Sequence, residues 1–222
     1  GASLYIRPFL VGIGENLGLR PAPEFEFRVF VSPVGPYYKG GGLSLINLAV
    51  IDLDRAAPKG LGAFKAGANY AGGLMATQMA QEMGAQEALY LDPVERRFLE
   101  EAGSANIVLK MKDGTIVTPQ SDSILPSVTR RSVMTLAADV LGMKTESRPV
   151  EFLKEVADIE EFAACGTAAV ISPVGSIRAG DTWHRFYGNG EAIGPITQQL
   201  YDLLTAIQKG EREDSYNWTR AV

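Results

Sequence analysis

The sequence has very few residues of the kinds that build disulfide frameworks and histidine-rich metal sites. Among 222 residues there is one cysteine, Cys165, and one histidine, His184. A single cysteine excludes an internal disulfide and fits a reducing compartment, cytoplasmic or mitochondrial. A single histidine excludes histidine-rich metal sites and leaves a Ser-His-Asp triad dependent on one candidate. We expect Cys165 to be a small buried apolar residue and His184 to lie on the surface or at a subunit contact.

Long apolar runs and basic blocks are also missing. The formal net charge is −5 and no cluster of Lys and Arg stands out, which argues against a nucleic-acid surface. No apolar run reaches the roughly 20 residues of a transmembrane helix, and the first residues lack the pattern of a signal peptide. The chain starts at Gly1 without an initiator methionine and leads at once into a strand-like run. We therefore expect a processed, cut or incompletely represented chain that can bury one core.

Strand-like and helical patterns alternate along the chain and predict a mixed α/β fold. Strands are predicted at 4–13, 25–34, 45–54, 87–91, 97–101, 107–111 and 168–174, and helices at 68–83, 129–141 and 195–209. The pair Asp113-Gly114 is typical of a hairpin, and residues 149–161 form an acidic amphipathic stretch. Residues 32–42 are rich in glycine and proline, which indicates a linker or a flexible pocket rim.

Lys65 is the most informative residue. It stands alone among glycines, alanines and apolar side chains between residues 60 and 73. We expect this amine to be desolvated, as is typical of lysines that form a Schiff base with a carbonyl group. Tyr70 follows five residues later, close enough for its hydroxyl to approach whatever the lysine binds. The alternatives are a loop lysine and a core tyrosine.

Two adjacent carboxylates, Glu100 and Glu101, fall at the end of a predicted strand. Alternation in a strand sends one of them inward and the other to solvent. A buried carboxylate needs a cationic partner such as arginine, lysine or a protonated ring nitrogen. The alternative is that both are exposed on an edge strand.

Two short segments have the pattern of anion sites. Residues 127–129, Ser-Val-Thr, open a predicted helix, where free N–H groups and the helix dipole favour a phosphate or carboxylate. Residues 166–168, Gly-Thr-Ala, form a turn beside a buried strand and can direct two N–H groups and a hydroxyl at one anion. The alternatives are a simple helix cap and an ordinary tight turn.

Six motifs in one order carry a family resemblance. They are Leu4-Tyr-Ile-Arg-Pro-Phe9, Ser32-Pro-Val-Gly-Pro-Tyr37, Lys65-Ala-Gly-Ala-Asn-Tyr70, Glu101-Ala-Gly-Ser-Ala-Asn106, Leu125-Pro-Ser-Val-Thr-Arg130 and Gly166-Thr-Ala168. Together they resemble the branched-chain amino acid aminotransferases, pyridoxal-phosphate enzymes of fold type IV. The resemblance covers nearly all of the chain. It implies a pseudo-barrel of strands with surrounding helices, and a homodimer.

The resemblance also implies a domain plan. Residues 1–31 would be junction strands, 32–42 an interdomain-type loop and 43–222 the large cofactor-binding domain. The family has a smaller N-terminal domain that supplies an arginine to the cofactor phosphate, and the sequence has no counterpart of it.

The implied site roles follow residue by residue. Lys65 matches the lysine that joins pyridoxal phosphate covalently and then moves the proton. Tyr70 matches the tyrosine that hydrogen-bonds the cofactor's phenolic oxygen. Glu101 matches the glutamate paired with the pyridine nitrogen, with Glu100 as its outward neighbour.

The remaining matches concern anions. Val128, through its N–H, Thr129 and Thr167 match the phosphate cup. The N–H of Ala168, with Thr167, matches the receptor of the substrate carboxylate, and Tyr37 would border the pocket. The implied chemistry needs no metal.

The implied activity is transamination of leucine, isoleucine and valine with 2-oxoglutarate. Two alternatives stay open: another fold type IV enzyme, such as a D-amino-acid aminotransferase or an aminodeoxychorismate-lyase-like enzyme, and a truncated homologue without catalysis. Ala68 and Ser127 stand where the family usually has glycine. A serine would be strained at position 127 if that position requires a positive φ.

Overall fold

The computed structural model describes residues 3–35 and 42–220, so Tyr37 lies outside the described residues. The chain divides into two compact units, Gly1–Gly42 and Leu43–Val222. In the part that the structure describes, no helix has the length and apolar character needed to span a membrane.

The first unit is a long antiparallel hairpin of β1 (Ser3–Ile13) and β2 (Glu24–Val34). Residues paired across an antiparallel ladder point to the same face. One face of this hairpin is entirely apolar and carries Leu4, Ile6, Pro8, Leu10, Phe27, Val29, Val31 and Pro33. Leu10 is 65% exposed and Phe27 is 67% exposed. The hairpin therefore presents a continuous apolar surface.

The second unit is built on one nine-stranded mixed sheet that curls into a half-barrel. Its strands are β3 (Ile46–Val50), β4 (Glu87–Leu91), β5 (Leu99–Ala102), β6 (Asn106–Met111), β7 (Ile116–Pro119), β8 (Thr145–Arg148), β9 (Ile159–Gly166), β10 (Val170–Ala179) and β11 (Thr182–Arg185). Their order is β5-β4-β3-β10-β9-β6-β7-β8, and β11 pairs with β10. The predicted mixed α/β class with a pseudo-barrel of strands is confirmed.

Helices surround the sheet. They are α1 (Gly67–Glu82), α2 (Val128–Asp139), α3 (Phe152–Glu155) and α4 (Pro195–Gln208), with short 3-10 helices at Val156–Asp158 and Tyr187–Gly190. The two faces of the strands enter different clusters, because successive side chains alternate. On β6, Leu109 joins a core with Phe162, whereas Val108 packs toward α2 and α4. Helix α1 packs on β3 and β4 through a third cluster that includes Ala76.

The three predicted helices are confirmed to within a few residues, and glycines end two of them. Gly84 has φ +84° and Gly142 has φ +65°, values at which glycine is the favoured residue after a helix. The predicted strand 45–54 is shorter than expected, since β3 ends at Val50. The acidic stretch 149–161 is not one element, because it breaks into α3, a 3-10 turn and the start of β9.

Cys165 lies on β9 in the cluster beneath α2 and α4 and is 2% exposed, which confirms the expected buried thiol. Burial raises the pKa of this thiol to about 12. His184 on β11 is partly buried and meets the ring of Phe152 edge-on, with centroids 5.6 Å apart.

Candidate active site

Lys65 and Tyr70 meet at the start of α1. Lys65 precedes the N-cap, Ala66, and Tyr70 lies in the first turn of the helix. Lys65 Nζ donates a hydrogen bond of 3.0 Å to Tyr70 Oη, and Nζ lies 4.6 Å from the centroid of the tyrosine ring. The hydroxyl of Tyr70 therefore lies within hydrogen-bonding distance of the amine.

The expectation that Lys65 is desolvated is wrong for this chain, because the side chain is exposed. Its neighbours explain the exposure. Gly67 has no side chain and open space beside it, and Ala68 carries only a methyl group. Small residues let a ligand approach the amine closely, but they do not cover it.

Glu100 and Glu101 on β5 are both buried, with 2% of each residue exposed. The prediction that Glu100 faces solvent is therefore wrong. Glu100 is covered by the segment after β7, because its carboxylate accepts hydrogen bonds from the hydroxyls of Ser121, at 2.7 Å, and Ser123. The same segment also supplies the Leu125 N–H to Glu101, so both carboxylates are covered.

Glu101 has three partners. Its carboxylate forms an ion pair with Arg55, accepts a hydrogen bond of 2.7 Å from Asn106 Nδ2 and one of 3.3 Å from the Leu125 N–H. Burial raises the pKa of Glu101 to about 7, although the positive charge of Arg55 and the Leu125 N–H act in the opposite direction. Near neutral pH this carboxyl group therefore populates both its charged and its neutral form.

Arg55 is the site residue that reasoning from sequence missed. It lies in the loop after β3, and only 3% of its side chain is exposed. Besides Glu101, its Nη2 donates to the carbonyl oxygens of Ser123, at 2.8 Å, and Gly62, at 3.4 Å. The signal that could have found it was the need of a buried carboxylate for a cationic partner, combined with a position ten residues before Lys65.

Helix α2 begins at Val128, with Ser127 as its N-cap. Ser127 has φ −68° and ψ 132°, so the strain considered for a positive φ does not arise. Its hydroxyl oxygen accepts a hydrogen bond of 3.1 Å from the Arg130 N–H. The N–H groups of Val128 and Thr129, in the first turn, have no acceptor within the helix.

Thr167 and Ala168 occupy the turn that joins β9 to β10, and both are exposed. The turn is closed by the pair Gly166 and Val170. Val170 has φ +60°, a conformation that costs a β-branched residue roughly 1–2 kcal/mol. The side chain packs against the cluster that contains Cys165, which supports this strained backbone.

Several of these segments meet around Glu101. Asn106 connects it to the end of β9, because Asn106 pairs in register with Cys165. A Cβ added to Gly166 would lie 3.9 Å from that of Ala105, so the turn after β9 adjoins the start of β6. Leu125 connects Glu101 to the start of α2. Among the described residues, the structure gives no direct hydrogen bond between Lys65 and the anion-site residues.

Such an arrangement combines an amine with a hydroxyl partner, a buried carboxylate with a cation, and exposed N–H and hydroxyl groups at a helix start and a turn. These groups can bind an anion, hold a polar ring atom and exchange a proton. The model of the Amino-transferase class IV family matches residues 3–177.

Two relatives are similar over nearly the whole chain. The chain is 47% identical to the branched-chain-amino-acid aminotransferase of Helicobacter pylori and 46% identical to that of Haemophilus influenzae, over 98% of its length in both cases. It spans 63% and 64% of the length of these relatives.

Solved structures agree on the fold. The branched-chain amino acid aminotransferase of Escherichia coli matches with a TM-score of 0.84 and 28% identity, over 97% of this chain and 69% of that one. The enzyme from Thermobaculum terrenum, in a PLP-form, matches with a TM-score of 0.79 and 27% identity, over 94% and 65%. The chain therefore belongs to the class IV aminotransferase family.

Proposed function

We propose that this chain is the cofactor-binding part of a branched-chain aminotransferase that uses pyridoxal 5'-phosphate. It would move an amino group from leucine, isoleucine or valine to 2-oxoglutarate and give the 2-oxo acid and glutamate. The observation that carries the proposal is the hydrogen bond of 3.0 Å between Lys65 and Tyr70 at the start of α1. The names of the relatives at 46–47% identity support the choice of substrates.

The residues present fit this cofactor. An amine and a hydroxyl lie side by side at the start of α1, a buried carboxylate is paired with Arg55, and the first N–H groups of helix α2 have no acceptor within the helix. When bound, pyridoxal phosphate supplies an aldehyde that takes up the amino group and a ring that withdraws electrons from the substrate Cα. Glu101 would hold the ring nitrogen, and Val128, Thr129 and Thr167 would hold the phosphate.

The chain's own groups have separate tasks in this proposal. Lys65 Nζ would take the proton from the substrate Cα and deliver it to the C4′ carbon of the cofactor, while Tyr70 Oη accepts a hydrogen bond from Nζ and orients it. Thr167 and the N–H of Ala168 bind the substrate carboxylate at the turn after β9. Tyr37 is proposed to border the pocket.

Domain roles and assembly belong to the same proposal. We assign residues 1–31 as junction strands, 32–42 as an interdomain-type loop and 43–222 as the large domain, and we expect a homodimer. The division of the chain into compact units at residue 42 supports this assignment.

A second candidate function is binding of the cofactor without transamination. The exposed side chain of Lys65 favours it, because an amine surrounded by water is a weaker nucleophile and base catalyst than a covered one. The two candidates differ in one step, the half-reaction with an amino acid.

The experiment is a single-turnover half-reaction. Purified protein with pyridoxal phosphate is mixed with leucine, and the visible absorbance of the bound cofactor is followed. We expect the visible band of the bound cofactor to disappear when the wild type is mixed with leucine. Lys65→Ala should lack this band before leucine is added. Lys59→Ala, which removes an exposed lysine from the same loop, is the matched control. A band that persists with leucine supports the second candidate, and a normal rate in Lys65→Ala excludes the first.

A further inference from the structure

Arg55 lies where three segments of the site meet. One nitrogen, Nη2, contacts the carboxylate of Glu101 and the carbonyl oxygens of Ser123 and Gly62. Arginine is rarely buried to this degree unless it is paired. The carbonyl oxygens fix the guanidinium in place, and the guanidinium in turn faces Glu101.

The two carbonyls belong to segments that lead into the proposed site. Gly62 lies three residues before Lys65, and Ser123 lies four residues before Ser127, the N-cap of α2. A Cβ at Gly62 would lie 2.7 Å from Ser123 Cα and 2.6 Å from the carbonyl oxygen of Ala57. These segments therefore approach too closely for any side chain at position 62. Arg55 is held at this junction by tightly packed backbone.

The charges around Glu101 show what Arg55 does. Glu100, on the same strand, disfavours a second negative charge nearby, whereas Arg130, in the first turn of α2, favours it. Arg55 is the cation in direct contact with the Glu101 carboxylate. A buried carboxylate without such a contact takes up a proton and then presents a donor where an acceptor is needed.

We propose that Arg55 is a positioning residue, which acts through Glu101 by favouring the ionised form of its carboxylate and holding it oriented as a hydrogen-bond acceptor for the cofactor ring nitrogen. This inference rests on the proposed function, because it assigns that task to Glu101. Arg55 is not a catalytic residue in this scheme, because its contacts are with Glu101 and with backbone.

Substitutions at this position separate charge from hydrogen bonding. Arg55→Gln has no charge but can still donate to the carbonyls of Ser123 and Gly62. Arg55→Lys keeps the charge on one nitrogen with three donors. Arg97→Gln is the matched control, because Arg97 pairs with Glu95 and Glu151 on the surface.

The first measurement needs no cofactor. The titration of Glu101 is followed by carboxyl-carbon NMR in the full chain labelled at glutamate, with Glu101→Gln used for assignment. We expect the midpoint of Glu101 to rise by roughly 1–3 pH units in Arg55→Gln, because an adjacent opposite charge lowers a carboxyl pKa by about that amount. Arg55→Lys should restore the wild-type midpoint to within about half a unit, and Arg97→Gln should leave it unchanged. An unshifted midpoint in Arg55→Gln overturns the proposal.

The second measurement uses protein loaded with pyridoxal phosphate. We expect the half-reaction with leucine to be at least about tenfold slower in Arg55→Gln and to recover in Arg55→Lys, because a protonated Glu101 would present a donor to the ring nitrogen instead of an acceptor. A shifted Glu101 midpoint with an unchanged half-reaction rate overturns the positioning role. Absence of any half-reaction in the wild type refutes the proposed function instead, and the NMR titration then still decides whether Arg55 controls Glu101. If Arg55→Gln does not fold, a titration midpoint in Arg55→Lys that differs from wild type by more than one unit overturns the proposal.

Discussion

Glu161 on β9 caps helix α4 across the core through Thr197. The carboxylate accepts hydrogen bonds of 2.7 Å from both the N–H and the hydroxyl of Thr197, and one of 3.1 Å from the Ile196 N–H. The N-cap residue of α4 is Gly194, which has no side chain to satisfy these groups. A strand residue therefore replaces the local cap of a helix.

This cap predicts a large effect of one substitution. Glu161→Ala should lower the free energy of unfolding by about 1–3 kcal/mol, because it leaves buried N–H donors without an acceptor. Glu161→Gln should cost less, since one acceptor oxygen remains. Urea unfolding measures the difference, with Glu160→Ala, which removes the partner of Lys110, as control. Equal stabilities of Glu161→Ala and wild type would refute the cap.

Asp92 predicts a loss of stability in acid. Burial raises the pKa of Asp92, but four hydrogen bonds lower it by more than burial raises it, so the net pKa lies below the ordinary 3.8. The donors are the N–H groups of Val94, Glu95, Arg97 and Phe98. The unfolded state then binds the proton more readily, so this contribution is complete above about pH 4 and is lost as the pH falls through the native pKa. Unfolding free energies between pH 5 and pH 3 should fall more steeply in wild type than in Asp92→Asn. Asp181→Asn, at an exposed position, should behave as wild type.

The pKa of Glu101 predicts that stability changes with pH in the opposite direction, and at higher pH. Its native pKa of about 7 exceeds the ordinary 4.5, so the folded chain retains a proton that the unfolded chain has lost. Stability should therefore decrease as the pH rises from about 4.5 to 7 and level off above, by an amount of about 1–3 kcal/mol. Glu101→Gln should remove this decrease when unfolding is measured without cofactor. A decrease of equal size in Glu101→Gln would assign it to another group.

The apolar face of the first hairpin predicts self-association. Leu10 and Phe27 are paired across β1 and β2 and are both largely exposed. Exposed apolar patches of this kind favour association. The double substitution Leu10→Thr and Phe27→Thr should lower the associated fraction in light scattering at a fixed concentration. Val11→Thr, on the opposite face, is the control and should change it less.

The fold and part of the site follow from local patterns in the sequence. Helices α2 and α4 have apolar residues at helical spacing. Helices α1 and α2 are each followed, where expected, by a glycine with positive φ. The contact between Lys65 and Tyr70 follows from five residues of separation at a helix start. Such features depend only on neighbours in the chain.

The other features depend on residues distant in sequence. Glu100 is buried because Ser121 and Ser123 lie over it, 21 and 23 residues away. Arg55 meets Ser123 across 68 residues. Strand alternation gives the direction of a side chain but not what covers it, so neither burial could be predicted from the local pattern. The roles of all the predicted site residues stay predictions: Lys65, Tyr70, Glu101, Val128, Thr129, Thr167, Ala168 and Tyr37.

Cys165 makes the middle of the sheet accessible to chemical measurement. A thiol reagent cannot reach a side chain enclosed between β9 and the helices above it until that layer separates. With no second thiol in the chain, each modified molecule records one such opening event. The labelling rate of untreated protein thus reports how often the sheet and helices come apart, without any engineered probe.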